Sequence, residues 1–234
     1  MIDELSLETF ISISQKKFEI YLLDKKNLKN IYTEEIYLEN DLDQIDYEQL
    51  KKFLDKNIFK IEKLIGNFIK NVNIIIESNQ ILNFSVGTKK KNYGETINKS
   101  YLESTLTDLK DIFRENYNNN KIIHFIINRY SIDGVNYKSF DEKINGDHLC
   151  VEVKFISVPN ILIKEISNVL EKYQIKINHI FEGNYIKNFF EDKHLDLSVV
   201  AFKIQSGHNQ NEITLVPKSL KKAGFFEKFF QLFS

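Results

Sequence analysis

The sequence predicts a mixed α/β protein in which one compact unit is inserted into another. Three observations carry this. The apolar period switches repeatedly between two and 3.6 along the chain. Residues 72–158 read β-β-α-β-β, with an N-terminal β-β-β-α before them and a C-terminal α-β-α after them. The chain is 234 residues long and 42% hydrophobic, enough for one large domain or two small ones.

Phe10-Ile11-Ser12-Ile13-Ser14 and Phe18-Glu19-Ile20-Tyr21-Leu22 alternate apolar and polar residues, which predicts two strands with Gln15-Lys16-Lys17 as the turn. A third strand is expected over 30–38. From Asp46 to Asn71 the period lengthens. Leu50, Phe53, Leu54, Ile58, Ile61 and Leu64 fall on one helical face, a face that Phe68 and Ile69 extend. Asp46 is the expected N-cap. Ile-rich 72–77 reads as a strand, with Asn79-Gln80 as a tight turn into a partner strand over 81–88. Asn98 or Ser100 caps a helix running to Tyr117. Residues 121–132 are β-rich and end at the turn dipeptide Asp133-Gly134. Leu149, Val151, Val153 and Phe155 alternate along the next strand. Pro159 opens a helix over 160–173, 174–181 is a strand, and short helices follow over 184–190 and 195–204.

Composition excludes several classes. The formal net charge is −1, so no global field points to nucleic acid. The lone Cys150 forms no internal disulfide and is expected to be a buried, inert thiol. Met1-Ile2-Asp3-Glu4 does not open a signal peptide. No run of about 18 apolar residues is long enough to span a bilayer. Neither GxxxxGK[ST] nor GxGxxG is present, and the eight glycines are scattered singly. The five histidines have no metal-ligand spacing, and His124 in a strand reads as structural. No catalytic residue, cofactor or metal is therefore expected, and the protein is not expected to be an enzyme.

The last residues are the sharpest feature. Phe225, Phe226, Phe229, Phe230 and Phe233 hold five of the nineteen phenylalanines. At 100° per residue they share one arc with Leu232, and Glu227, Lys228 and Gln231 share the other. Lys218, Lys221 and Lys222 precede them. The pattern over 219–234 is that of an interfacial amphipathic helix, behind a linker over 206–218. The competing reading is a soluble interaction module whose helix packs on its own core.

Residues 121–182 resemble the bacterial actin-like division protein family FtsA. Lys121-Ile122-Ile123-His124-Phe125-Ile126-Ile127-Asn128-Arg129-Tyr130-Ser131-Ile132-Asp133-Gly134 is similar to that family's "lHvlPqeYiiDG" strand. Asn128 replaces the family's proline, while Tyr130, Asp133 and Gly134 match. Gly146-Asp147-His148-Leu149-Cys150-Val151-Glu152-Val153 is similar to its "G.rLev.v". The tail from Ala223 is similar in kind to the family's membrane tether. The resemblance implies a partial actin-like lobe (8–71 and 159–205), an inserted subdomain (72–158) and a membrane-targeting helix with Lys221, Lys222, Phe225, Phe226, Lys228, Phe229, Phe230 and Phe233 as its contacts. It implies protein contacts through Tyr130, Asp133, Gly134 and Gly146. The expected partners are divisome proteins or FtsA-like protomers and the anionic inner face of the cell membrane, at the division site.

The departures concern nucleotide. The family's first phosphate loop has an Asp-x-Gly-[ST] pattern, where this chain has Ile11-Ser12-Ile13-Ser14-Gln15. Its second, DxGGGT, is replaced by Phe189-Phe190-Glu191-Asp192-Lys193-His194. The second half of the actin fold is absent from these residues. ATP binding is not expected, nor is direct FtsZ binding, whose surface lies largely in that missing half.

Overall fold

The structure, a computed structural model, describes residues 6–39, 44–137, 144–190 and 195–213. In chain order it has β1 (Leu7–Ile13), β2 (Lys17–Asp24), β3 (Lys29–Tyr37), α1 (Tyr47–Ile65) and β4 (Asn71–Ile76). Then come β5 (Leu82–Lys91), β6 (Thr96–Ile97), α2 (Lys99–Asn116), β7 (Asn120–Ile132), β8 (Val135–Tyr137), β9 (Ile144–Asn145) and β10 (His148–Pro159). The chain continues through α3 (Asn160–Glu171), β11 (Lys176–Glu182), α4 (Gly183–Lys187) and α5 (Leu197–Gln205). The mixed α/β class holds, and so does the nesting. One unit takes the chain up to Ile81 and then Pro159–Ser206, and the other takes Leu82–Val158 with 207–213 of the described residues.

The first unit is a five-stranded sheet in the order β11-β4-β1-β2-β3. β1, β2 and β3 form an antiparallel meander, and β4 and β11 run parallel to β1. Alternation along β1 sends Phe10 to one face and Ile11 and Ile13 to the other. Phe10 joins Tyr21, Ile75, Phe181, Val199 and Ile204 in one buried cluster beneath α4 and α5. On β2, Phe18 packs on Phe53 of α1, with ring centroids 6.3 Å apart. The α1 N-cap is Asp46, whose carboxylate accepts the Gln49 N–H at 2.9 Å. The helix stops at Gly66, which takes the left-handed φ of 77°. The expected helix to Asn71 is therefore too long: Phe68 lies beyond the cap and is 77% exposed.

Two other expectations fail at the insert. Residues 72–81 belong to the main sheet, so the inserted unit begins at Leu82 rather than Val72. The strand expected as partner of 72–77 pairs elsewhere, because both edges of β4 are taken by β1 and β11. β5 instead runs antiparallel to β10 from Leu82↔Ser157 to Lys91↔His148.

The second unit is a four-stranded sheet, β5-β10-β7-β8, beside a two-residue ladder of β6 and β9. Asn98 caps α2 by accepting the Tyr101 N–H at 3.0 Å. Leu102, Leu106, Leu109 and Phe113 of α2 bury against Val151, Val153 and Phe155 of β10 and Phe125 of β7. Phe125 and Phe155 stack with centroids 4.6 Å apart. Each such side chain contributes about 1.5–3 kcal/mol on burial. Cys150 points to the opposite face from Leu149 and Val151 and is half-buried rather than buried.

The expected linker is partly structured. The Ile127 N–H donates to the Asn211 carbonyl at 2.8 Å, and the Ile213 N–H donates to that of Phe125 at 2.7 Å. Ile213 is 5% exposed within the second core. Residues 211–213 thus lie along β7 through a single antiparallel bridge between Ile126 and Glu212, and residues 214–218 lie outside the described residues.

Candidate functional site

In an α/β sheet with parallel strands, ligands are held at the strands' carboxyl ends. In the first unit these ends are Ile13 of β1, Ile76 of β4 and Glu182 of β11. The turn after β1 is closed by its own serine. Ser14 Oγ accepts the Lys17 N–H at 3.0 Å and donates to the Lys17 carbonyl at 2.9 Å. No glycine there brings backbone N–H groups to a phosphate. Glu77 follows β4, and its N–H donates to the Ile13 carbonyl at 3.0 Å.

The end of β11 is filled more completely. Glu182 is 4% exposed and caps α4. Its carboxylate accepts the N–H groups of Asn184 at 2.9 Å and Tyr185 at 2.6 Å. These are the donors that a bound phosphate would need. A close approach favours glycine at 183: a Cβ there would lie 2.2 Å from Glu77 Cγ. Glu77 in turn pairs with the Lys187 ammonium at 2.7 Å. An incoming anion meets two carboxylates at this place, one of them already holding the helix end. Missing glycines do not reveal Glu182 in the sequence; an acidic residue directly before a short helix is the available signal. Of the stretch expected in place of the second phosphate loop, Phe189 and Phe190 pack edge to face at 4.8 Å, and 191–194 lie outside the described residues.

The four residues expected to make protein contacts lie in the second unit. Asp133 and Gly134 form the β7–β8 turn with φ of 48° and 85°. The Asp133 carboxylate accepts the N–H groups of Asp147 and His148, both at 2.9 Å. These bonds hold its pKa below the usual carboxylate range. Gly146 sits against this clasp, where a Cβ would lie 2.3 Å from Ile132 Cγ2 and 2.9 Å from Asp133 Oδ2. Tyr130, three residues back, is 4% exposed and stacks on Tyr137 across the hairpin at 6.4 Å. Asp133, Gly134 and Gly146 are therefore brought together, and the Tyr130 ring is turned into the fold. The exposed part is the turn, with Val135 58% accessible beside it.

His124 is 2% exposed, and its Nδ1 lies 2.5 Å from Glu212 Oε1, across the bridge of Ile126 and Glu212. Among the described residues no cluster of three His, Cys, Asp or Glu could hold a metal ion, and no helix is long and apolar enough to cross a membrane. The expected membrane contacts Lys221, Lys222, Phe225, Phe226, Lys228, Phe229, Phe230 and Phe233 lie outside the described residues.

No protein-family model matches the sequence, and no curated protein does. The chain is similar to solved structures. One is the cytoplasmic domain of EpsL, an inner-membrane component of the type II secretion system of Vibrio cholerae, at 10% identity over 76% of this chain and 57% of that one, with a TM-score of 0.39. Another is the PilM–PilN type IV pilus biogenesis complex, at 6% identity over 78% and 49%, with a TM-score of 0.41. A third is a Bacteroides thetaiotaomicron protein of unknown function with an actin-like ATPase fold, at 18% identity over 81% and 58%, with a TM-score of 0.30. The chain spans about half to three fifths of the length of these structures.

Proposed function

We propose that this chain is a nucleotide-independent adaptor. In this reading it binds other proteins through its inserted unit and is held at the inner face of the cell membrane by its C-terminal segment. One observation carries the nucleotide-free part. The carboxyl ends of β1, β4 and β11, where an actin-like lobe would hold phosphate, are occupied by Glu182 and Glu77. The membrane part rests on the phenylalanine arc and the lysines of residues 218–233. Its base at 211–213 lies along β7, and any five residues such as 214–218 can span at most about 18 Å. The partner class is a component of a membrane-bound assembly. The family resemblance makes the cell-division machinery its finer form.

Nucleotide is tested first. Anything that binds the native state alone raises its melting temperature. Millimolar ATP·Mg²⁺ is expected to leave the melting temperature of the full chain unchanged. A rise of several degrees would sink the reading. The division form is tested by a fluorescent fusion, which should gather at mid-cell. Membrane location without mid-cell enrichment keeps the adaptor and removes the division role.

A further inference from the structure

A second polar cluster lies in the first unit at the opposite, amino-terminal end of the parallel strands. It is separate from the carboxyl-end groups just described. Asn178 Nδ2 of β11 donates to Asn73 Oδ1 of β4 at 3.2 Å. Asn73 Nδ2 donates to Gln205 Oε1 of α5 at 3.4 Å. Gln205 Nε2 reaches Glu8 Oε1 of β1 at 3.5 Å. Every amide in this relay is oriented toward the carboxylate, which only accepts. The relay ends there, because Glu8 Oε2 is buried and has no hydrogen-bond partner among the described residues.

Glu8, Asn73 and Asn178 line a cavity of about 270 Å³. Leu7, Ile65, Ile69 and Val72 give it an apolar side, and Thr9 and Asn71 add polar groups. Phe68, 77% exposed, and Lys70 also line it. A buried carboxylate oxygen without a donor is costly, and a charged donor offsets that cost best. One carboxylate is too few for a divalent cation, which takes six or more oxygen ligands. The apolar side suits methylenes, in the way that buried lysine stems are accommodated.

We propose that this cavity binds a single primary ammonium carried on an aliphatic stem, with the ammonium donating to Glu8 and the stem lying along Ile65, Ile69 and Val72. The same chemistry is offered by a free alkylamine and by a lysine side chain of a partner protein. The test is an NMR titration of the full chain with n-pentylamine and with Nα-acetyl-lysine methylamide, using n-pentanol and Nα-acetyl-norleucine methylamide as uncharged controls. Saturable binding is expected for an amine, at least tenfold tighter than its control. Binding of pentylamine alone identifies a free amine as the natural source, and binding of the lysine amide alone identifies a protein side chain. Glu8→Gln keeps the shape and removes the charge. It should weaken amine binding at least tenfold with a thermal midpoint equal to or above that of the parent. The proposal is overturned if neither amine binds, if the controls bind equally well, or if Glu8→Gln binds as tightly as the parent.

Discussion

Asp133 shows how one carboxylate fixes the end of the inserted unit. It holds a left-handed φ of 48°, which Asp and Asn tolerate better than other side chains, and it accepts two backbone N–H groups of the neighbouring strand. Its pKa is depressed in the folded state, mainly by those two bonds. A depressed carboxylate stabilises above its unfolded pKa of about 3.9, and that contribution is lost as pH falls through the folded value. Asp133→Asn keeps the turn geometry and loses the charge. The stability gap between parent and variant should be constant near neutral pH and close below about pH 4. Acid melts of the two proteins check this; a gap that widens as pH falls would contradict it. Glu182 acts similarly at the start of α4. Glu182→Ala removes a buried cap with two hydrogen bonds and should cost about 1–2 kcal/mol in denaturant unfolding. Loss below about 0.3 kcal/mol would mean that the carboxylate is not what holds the helix end.

At the scale of elements, local signals were legible and non-local pairing was not. Asp46 and Asn98 were readable as caps because a cap is a contact three residues long. Asp133-Gly134 was readable for the same reason. The partner of β5 lies about 65 residues away in β10, and no local pattern distinguishes that pairing from a hairpin with β4. The end of α1 was overrun because Phe68 and Ile69 kept the helical period, while the single Gly66 ended the helix. Residues 211–213 were missed because the polar stretch around them hid one apolar residue, Ile213. Their pairing gives a prediction. Truncation after Ser206 removes Ile213 from the second core and uncovers the β7 edge, costing about 1.5–3 kcal/mol for the side chain alone. Truncation after Pro217 should leave the melting temperature unchanged. If the longer truncate is destabilised as much as the shorter one, the phenylalanine arc packs on the protein's own domain, and the competing reading from the sequence takes over.

For the whole molecule, the sequence made the class and the nesting legible because periodicity reports burial directly. It made the candidate site legible only as missing glycines. What occupies the place instead, Glu182 and the Glu77–Lys187 pair, emerges when β4, β11 and α4 converge in space. The proposed role, an adaptor held at a membrane without nucleotide, joins these observations. Each aromatic ring of the tail contributes at best about 1.5–3 kcal/mol to membrane binding, and each lysine near an anionic surface adds about 1 kcal/mol. The cost of ordering the tail reduces the sum, so binding should be reversible. The most direct test is sedimentation of the full chain with vesicles containing phosphatidylglycerol, with and without ATP·Mg²⁺. The proposed role predicts equal pelleting in both conditions, lost on truncation after Pro217 and in the double variant Phe226→Glu, Phe229→Glu at unchanged thermal stability. A full chain that stays in solution, or that pellets only when ATP is present, would contradict it.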